Sequence, residues 1–558
     1  MSARSTQPAS WQRSRGYLRG YSRGCPRGYA LALGVLPLLF LGVLLLAPAV
    51  RLVLEGQTSF TPVTMTALWQ DHYLRWRLLW SLLQAGATCL LVLAIGLPVA
   101  WVLARFQFVG RALVLRLLML PFVVPTLVAA LGVLALWGPR GLSMAWLGTD
   151  LQDTPWLLLY GNVFFNLCLL VRAGIDGLAQ VSASRLAAAR TLGATPWRAF
   201  WRMEWPTVRP WLASALCLVF LYCFSGFGLA LVLGGQRYAT LEVEIYTLVA
   251  YELKLADASV LAVVTMLVTG AAALLYTLRE RDLAVPVKGD RVALRRPAGP
   301  LEWVMVATAM AALLACCAAP VLAIAARVLL AGPAAWAVVV QESTLQALWN
   351  TLRFSVAAVA LATVLGLTHA LAAQRSALLR AAAYLPFVVS PVMVAFGLLL
   401  LYPQWAATQT LLIGAYALLA YPFVAKSISA ALDSLPSHLL QAATTLGASP
   451  WRCFWRITLP FVRPALRRGM AFAAASALGE FAVSLFLSRP EWTTLTTLIY
   501  QRLSRPGTAN LDEAMVLACL LMLLALLAFL ALEYRPADQN AARPVHPRHA
   551  TARDTVRA

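Results

Sequence analysis

The chain has 558 residues, of which 61% are hydrophobic and only 12% charged, and its mean hydropathy is +0.74. Soluble domains carry about a quarter charged residues, so this composition argues against a water-solvated globular enzyme and for lipid as the main solvent. The net charge of +22 is no nucleic-acid footprint, because the basic residues sit in short segments between apolar stretches, which is how membrane topology is written.

In chain order, the tail "RGYLRGYSRGCPRGYA" is basic and polar, and it reads as an unfolded topology anchor rather than a cleavable leader. Twelve spanning helices are predicted near 30–50, 78–104, 112–137, 156–176, 210–233, 257–278, 302–326, 345–373, 379–402, 408–428, 464–488 and 513–533. The fold class expected is therefore an all-α polytopic membrane protein. The loop around 279–300 carries Arg279, Arg281, Lys288, Arg291, Arg295 and Arg296. That bias predicts both termini on the cytoplasmic side. The nine cysteines form no metal-type pattern and read as small lipid-compatible residues.

The chain repeats itself. "TLGATPWRAFWR" at 191–202 returns as "TLGASPWRCFWR" at 445–456, 254 residues later. "LPFVVPTLVAALGVLALW" at 120–137 echoes "LPFVVSPVMVAFGLLLLY" at 385–402, and "LWSLLQ" at 79–84 echoes "LWNTLR" at 348–353. Two six-helix halves running in the same direction follow. The expected division is a tail at 1–29, a first half at 30–278 with its core from about 78, a linker at 279–300, a second half at 301–534 with its core at about 345–533, and a tail at 535–558. Parallel repeats imply a substrate path along the interface between the halves.

The repeated phrase falls between the fourth and fifth spans of each half. Good helix formers lead into Gly193 and Gly447, placed where a helix ends in a left-handed residue. Thr195-Pro196 and Ser449-Pro450 then supply a hydroxyl N-cap followed by a first-turn proline. In the short helix that follows, Trp197, Phe200 and Trp201 share one face, as do Trp451, Phe454 and Trp455. Pro206 with Pro210, and Pro460 with Pro464, are expected to end this element before the next span. Aromatic anchoring at the membrane interface is the bland explanation. Against it, 14 of the 21 positions from 190 to 210 are identical to their counterparts 254 residues on. A docking knob needs its shape twice, and an anchor does not.

"AAARTLGATPWRAFWRMEWP" and "QAATTLGASPWRCFWRITLP" resemble the cytoplasmic EAA loop of binding-protein-dependent ABC importer permeases. The resemblance covers about 78–278 and 345–533. It implies the type I importer permease fold, with the loop docking into a separate ATP-binding subunit. The motif's residues fall on Gly193 and Gly447, Ala194 and Ala448, Phe200 and Phe454, and Pro206 and Pro460, with Leu192 and Leu446 beside them. Its initial glutamate is missing, since Ala187 and Gln441 stand there, which puts any salt bridge from that glutamate in doubt. The partners implied are two copies of a cytosolic ATPase carrying ATP and Mg, and a periplasmic substrate-binding protein, in a bacterial inner membrane. No nucleic acid, resident metal or cofactor is expected. Two fused halves are similar to the thiamine and the ferric-iron permeases, and 231–267 looks most like the thiamine (thiamine pyrophosphate) permease. A secondary transporter with six plus six spans is the competing class. No G-x-x-x-x-G-K-[ST] phosphate loop is present, so ATP hydrolysis is expected on another chain.

Two further sets of residues draw attention. Glu480, in "SALGEFAVSLFL", stands at the repeat position of Gly226, and a carboxylate deep in a span usually lines a cavity or meets a partner. A bond to Ser476 or Ser484 is its structural alternative. On the outer side, Glu242 and Glu244 in segment 234–256, with Arg502 in 489–512, are expected to receive the binding protein.

Overall fold

A computed structural model describes residues 27–59, 70–282, 292–374, 376–383, 385–406 and 408–533. The tails and residues 283–291 of the linker lie outside the described residues. Twelve helices follow the expected order: α1 (Leu33–Gln57), α2 (His72–Arg105), α3 (Thr126–Trp137), α4 (Pro155–Leu178), α5 (Trp205–Phe224) and α6 (Leu255–Asp282) in the first half. The second half has α7 (Pro300–Leu330), α8 (Glu342–Ala373), α9 (Pro391–Leu401), α10 (Gln409–Asp433), α11 (Leu459–Leu478) and α12 (Thr508–Glu533). Ten helices among the described residues are long and apolar enough to cross a membrane, or eleven if one bent pair counts as a single span. α11 is not among them: Arg463, Arg467 and Arg468 dilute its apolar length.

Four of the expected spans are broken rather than continuous, which corrects the sequence reading. The 112–137 stretch divides into Arg111–Leu117, Leu120–Val123 and α3, with Pro125 at the break. Its repeat turns by 94° between Leu378–Phe387 and α9, where Ser390 caps Met393 N–H ahead of Pro391. The 210–233 stretch stops at Phe224 and resumes at Gly228–Leu233. The 464–488 stretch stops at Leu478 and resumes at Ala482–Leu487. Proline removes a donor and glycine carries no packing side chain, so both mark where a buried helix can open beside a cavity.

The first helix of each half crosses to the other half. α1 packs on α8 and α9 as well as on its own α6, and α7 packs on α2, α3 and α4 as well as on its own α12. The contacts are close because glycines receive them. A Cβ on Gly132 of α3 would come within 2.8 Å of the Pro320 carbonyl oxygen, and one on Gly397 of α9 within 2.9 Å of Pro48. Small residues at such crossings let backbones approach closely, which replaces the hydrophobic driving force lost in lipid.

Four π-turns punctuate these helices, and each stands directly before a proline. The N–H of Ala47, Trp205, Ala319 and Leu459 reaches back five residues to the carbonyl of Gly42, Phe200, Leu314 and Phe454. Pro48, Pro206, Pro320 and Pro460 follow. A proline ring clashes with the carbonyl four residues back, and a wide turn moves that carbonyl aside without breaking the helix.

Candidate functional site: paired polar loops and a cavity between the halves

The two repeated loops have nearly the same geometry. After Ala183–Thr191, Gly193 sits at φ 80°; after Ser437–Thr445, Gly447 sits at φ 77°. Gly193 N–H donates to Arg190 O and Ala194 N–H to Ala189 O, and Gly447 and Ala448 repeat the pair on Thr444 and Ala443. This double bond pattern closes a helix through a left-handed glycine. Thr195 and Ser449 then accept from the backbone N–H of Arg198 and Arg452, as N-caps do.

The short helices Pro196–Ala199 and Pro450–Cys453 present the aromatic faces outward. Trp197 is 70% exposed and Trp451 69%, with Leu192 at 88% and Leu446 at 86%. Trp201 and Trp455 are also exposed, while Phe200 and Phe454 are half-buried beneath them. Trp197 and Trp201 meet edge-on at 5.6 Å, and Trp451 and Trp455 at 5.5 Å. So much exposed apolar surface, twice and alike, has the form of an interaction site. One expectation fails here. Pro206 and Pro460 do not end the element, because the helical body runs on from Pro196 to Phe224, and from Pro450 to Leu478, through the π-turns. Each short helix is thus a continuous extension of the long helix that follows it.

The first loop has an anchor that sequence reasoning missed. Glu204, at the end of its π-turn, is buried and pairs with Arg105 of α2 at 2.8 Å, while Trp101 donates to it at 3.0 Å. The linker joins in: Arg295 N–H donates to Arg105 O and Gln107 N–H to Arg295 O, and the Arg295 guanidinium lies over the Phe106 ring at 4.9 Å. The second loop has Thr458 where the first has Glu204. The repeat comparison shows that difference, but nothing local shows what Glu204 meets.

Between the halves lies a cavity of about 250 Å³, somewhat below the roughly 300–1,000 Å³ usual for small-molecule sites. Gly226 and Glu480, the pair singled out by the repeat, both line it, together with Asn162, Asn166 and Ser390. Glu480 is half-buried at the break before Ala482–Leu487, and its Oε1 accepts Val483 N–H at 3.1 Å. Ser484 bonds the Glu480 carbonyl rather than its carboxylate. The carboxyl group is therefore bonded to the start of a helix, and no Lys, Arg or His stands among the described residues that line the cavity with it.

The residues expected to receive a binding protein are placed otherwise than expected. Glu242 and Glu244 are buried residues of the first turn of the helix Leu241–Ala250. Glu242 accepts from Ser390 at 2.8 Å, across to the second half. Glu244 accepts from Tyr73 at 2.8 Å and lies 3.4 Å from Arg77. Arg502 is turned onto Glu513 and Gln341, both at 2.8 Å. A surface loop was expected because the segment is short and charged, but Glu242 and Glu244 have partners far away in sequence. Tyr251 and Leu253, 68% and 76% exposed, are the large apolar residues that this segment leaves at the surface.

The model of the family "binding-protein-dependent transport system inner membrane component" matches residues 96–284 and 362–539. The thiamine transport system permease protein of Escherichia coli is 28% identical over 504 residues, covering 84% of this chain and 90% of that protein. That of Haemophilus influenzae is 27% identical over 503 residues, covering 85% and 91%. A sulfate transport system permease protein of Synechocystis is 32% identical over 205 residues, covering 36% of this chain and 74% of that protein.

Proposed function

Because the chain belongs to the family of binding-protein-dependent transport system inner-membrane components, we propose that it is the membrane-spanning subunit of an ATP-driven importer of thiamine or its phosphates. Similarity to thiamine permeases along nearly the whole of both chains is the observation that carries the substrate. The two exposed aromatic loops carry the coupling. Leu192, Gly193, Ala194, Trp197, Phe200 and Trp201 form one dock for a cytosolic ATPase, and Leu446, Gly447, Ala448, Trp451, Phe454 and Trp455 form the other. ATP and Mg belong to that partner. Both termini and both docks face the cytoplasm of a bacterial inner membrane, and a periplasmic binding protein delivers the substrate on the opposite side.

Helix continuity supports a mechanism. Each docking helix runs without interruption into α5 or α11, and each of these ends at the break beside Gly226 or Glu480. Closure of the ATPase dimer moves the docks, and a rigid helix carries that motion to the cavity wall. The test is uptake of labelled thiamine and of ferric iron by cells with and without this chain. Loss of thiamine uptake alone on deletion is expected; loss of iron uptake alone overturns the substrate.

A further inference from the structure

The cavity between the halves is walled by aromatic rings to a degree that a passage for any small solute does not require. Phe122, Phe165 and Tyr222 come from the first half, and Phe423 and Phe472 from the second. Phe122 is their hub. Its ring centroid lies 6.4 Å from Phe165 and 5.9 Å from Tyr222 on its own side. Across the interface it lies 6.4 Å from Phe423 and 6.0 Å from Phe472, at 73° and 71°. Packed edge-to-face on one another, and with Phe423 and Phe472 nearly parallel at 6.4 Å, these rings form one continuous aromatic wall along the cavity. Another ring of the lining, Phe387, carries Lys426 at 5.5 Å.

The charge of the cavity points the same way. Among the described residues that line it, Glu480 is the only acidic one, and none is Lys, Arg or His. An oxyanion would meet a carboxylate and no cationic donor. A metal ion would find a single carboxylate among amide and hydroxyl groups, where hard cations are usually held by several charged oxygens. A flat organic cation finds both of its requirements, a carboxylate and π faces within reach.

We infer that this cavity is an aromatic box for one planar aromatic cation, gripped by Phe122, Phe423 and Phe472 with its charge directed toward Glu480. The inference rests on the reading of the chain as an importer permease, and it supplies the chemistry by which the membrane subunit itself recognises the cargo. Phe122 belongs to one half and its cross-interface partners to the other. Parting the halves therefore takes the box apart, so the grip is present in one arrangement of the halves and absent in another.

The test uses the full chain with its ATPase in lipid nanodiscs and two radiolabelled probes read by equilibrium dialysis: 3-benzyl-4-methylthiazolium, and the uncharged 2-benzyl-4-methylthiazole. The cation should be retained at least about tenfold more tightly. Phe423→Leu with Phe472→Leu should weaken it about fivefold or more, whereas Phe423→Trp, which keeps a ring, should hold it near the wild-type level. Equal retention of the two probes, no retention of the cation, or an unchanged Leu double variant overturns the box. Where the Leu variant fails to assemble with the ATPase, the wild-type comparison of the probes and the Trp variant still decide. Labelled thiamine uptake is measured in parallel. Cation selectivity without thiamine uptake sinks the proposed substrate and leaves the box standing; thiamine uptake without cation selectivity does the reverse.

Discussion

Gly132 of α3 lies directly under the Pro320 carbonyl of α7, so close that a Cβ would come within 2.8 Å of the oxygen. Pro320 belongs to the second half and Gly132 to the first. The repeat reproduces the contact in mirror assignment, Gly397 of the second half under Pro48 of the first. Both prolines follow a π-turn, so the bulge that accommodates the proline also shapes the surface that the glycine receives. The two halves are thus tied at two equivalent crossings.

Gly132→Ala should force backbone apart at one of these crossings and cost about 1–3 kcal/mol, the usual range for overpacking. Gly86→Ala is the control: a Cβ there meets nothing within 4 Å, and in mid-helix alanine is favoured by roughly 0.5–1 kcal/mol. Thermal unfolding of the purified variants should separate them, Gly132→Ala falling and Gly86→Ala level or higher. A Gly132→Ala protein as stable as wild type would mean that α7 slides freely over α3.

Gly193→Val and Gly447→Val act on backbone alone, since a Cβ at either position meets nothing within 4 Å and only the positive φ is at stake. A β-branched residue resists the left-handed region by about 1–2 kcal/mol. The double variant should insert normally, because the spans are untouched, and yet lose stimulation of the partner's ATP hydrolysis. Normal stimulation by a membrane-inserted double variant would remove the docking assignment.

The legibility of these two sites differs for a physical reason. Gly193, Thr195 and Pro196 each dictate local backbone, so the helix, turn and capped helix are readable within a dozen residues, and repetition doubles the signal. The π-turns before Pro206 and Pro460 were not readable, because a proline in a helix signals a break unless a wider turn absorbs it. Glu242 shows the other limit. Its sequence neighbourhood is that of a solvated segment, but its partner Ser390 is 148 residues away. Arg105 and Glu204 are 99 residues apart. The crossing of α1 and α7 to the opposite halves is likewise nonlocal, and hydropathy alone carries no trace of it. Glu480 and Gly226 were found because the repeat supplied a second copy to compare.

The Arg105–Glu204 pair yields a test of coupling through the first loop. Both side chains are under a tenth exposed, and removing one partner of a buried pair typically costs about 3–5 kcal/mol because the other charge is left uncompensated. Glu204→Gln and Arg105→Met should each destabilise the protein and weaken substrate-stimulated ATP hydrolysis. The Arg105→Met, Glu204→Gln double variant should be less destabilised than the sum of the two. Strict additivity in thermal unfolding would show that the pair is not a unit. The second half offers an internal comparison, since Thr458 occupies the equivalent of Glu204 and Thr458→Val should leave stimulation nearly unchanged.

Glu480 has two separable tasks, and two substitutions divide them. Its Oε1 accepts Val483 N–H at the start of Ala482–Leu487, a capping contact that glutamine keeps through its side-chain carbonyl and alanine loses. Its acid group lines a cavity where none of the described lining residues is Lys, Arg or His, and both substitutions remove that acid. If capping were the whole role, Glu480→Gln would transport as wild type and Glu480→Ala would be destabilised by about 1 kcal/mol. If the charge holds a cationic substrate, Glu480→Gln should keep its thermal stability and its ATPase docking while losing uptake. Hydrogen bonds to charged groups contribute about 1.5–3 kcal/mol, so the loss should be about tenfold or more at subsaturating substrate. The measurement is labelled thiamine uptake across a range of concentrations, with stability and ATPase co-purification recorded on the same preparations. Uptake by Glu480→Gln that matches wild type throughout that range leaves Glu480 as a helix cap and nothing more.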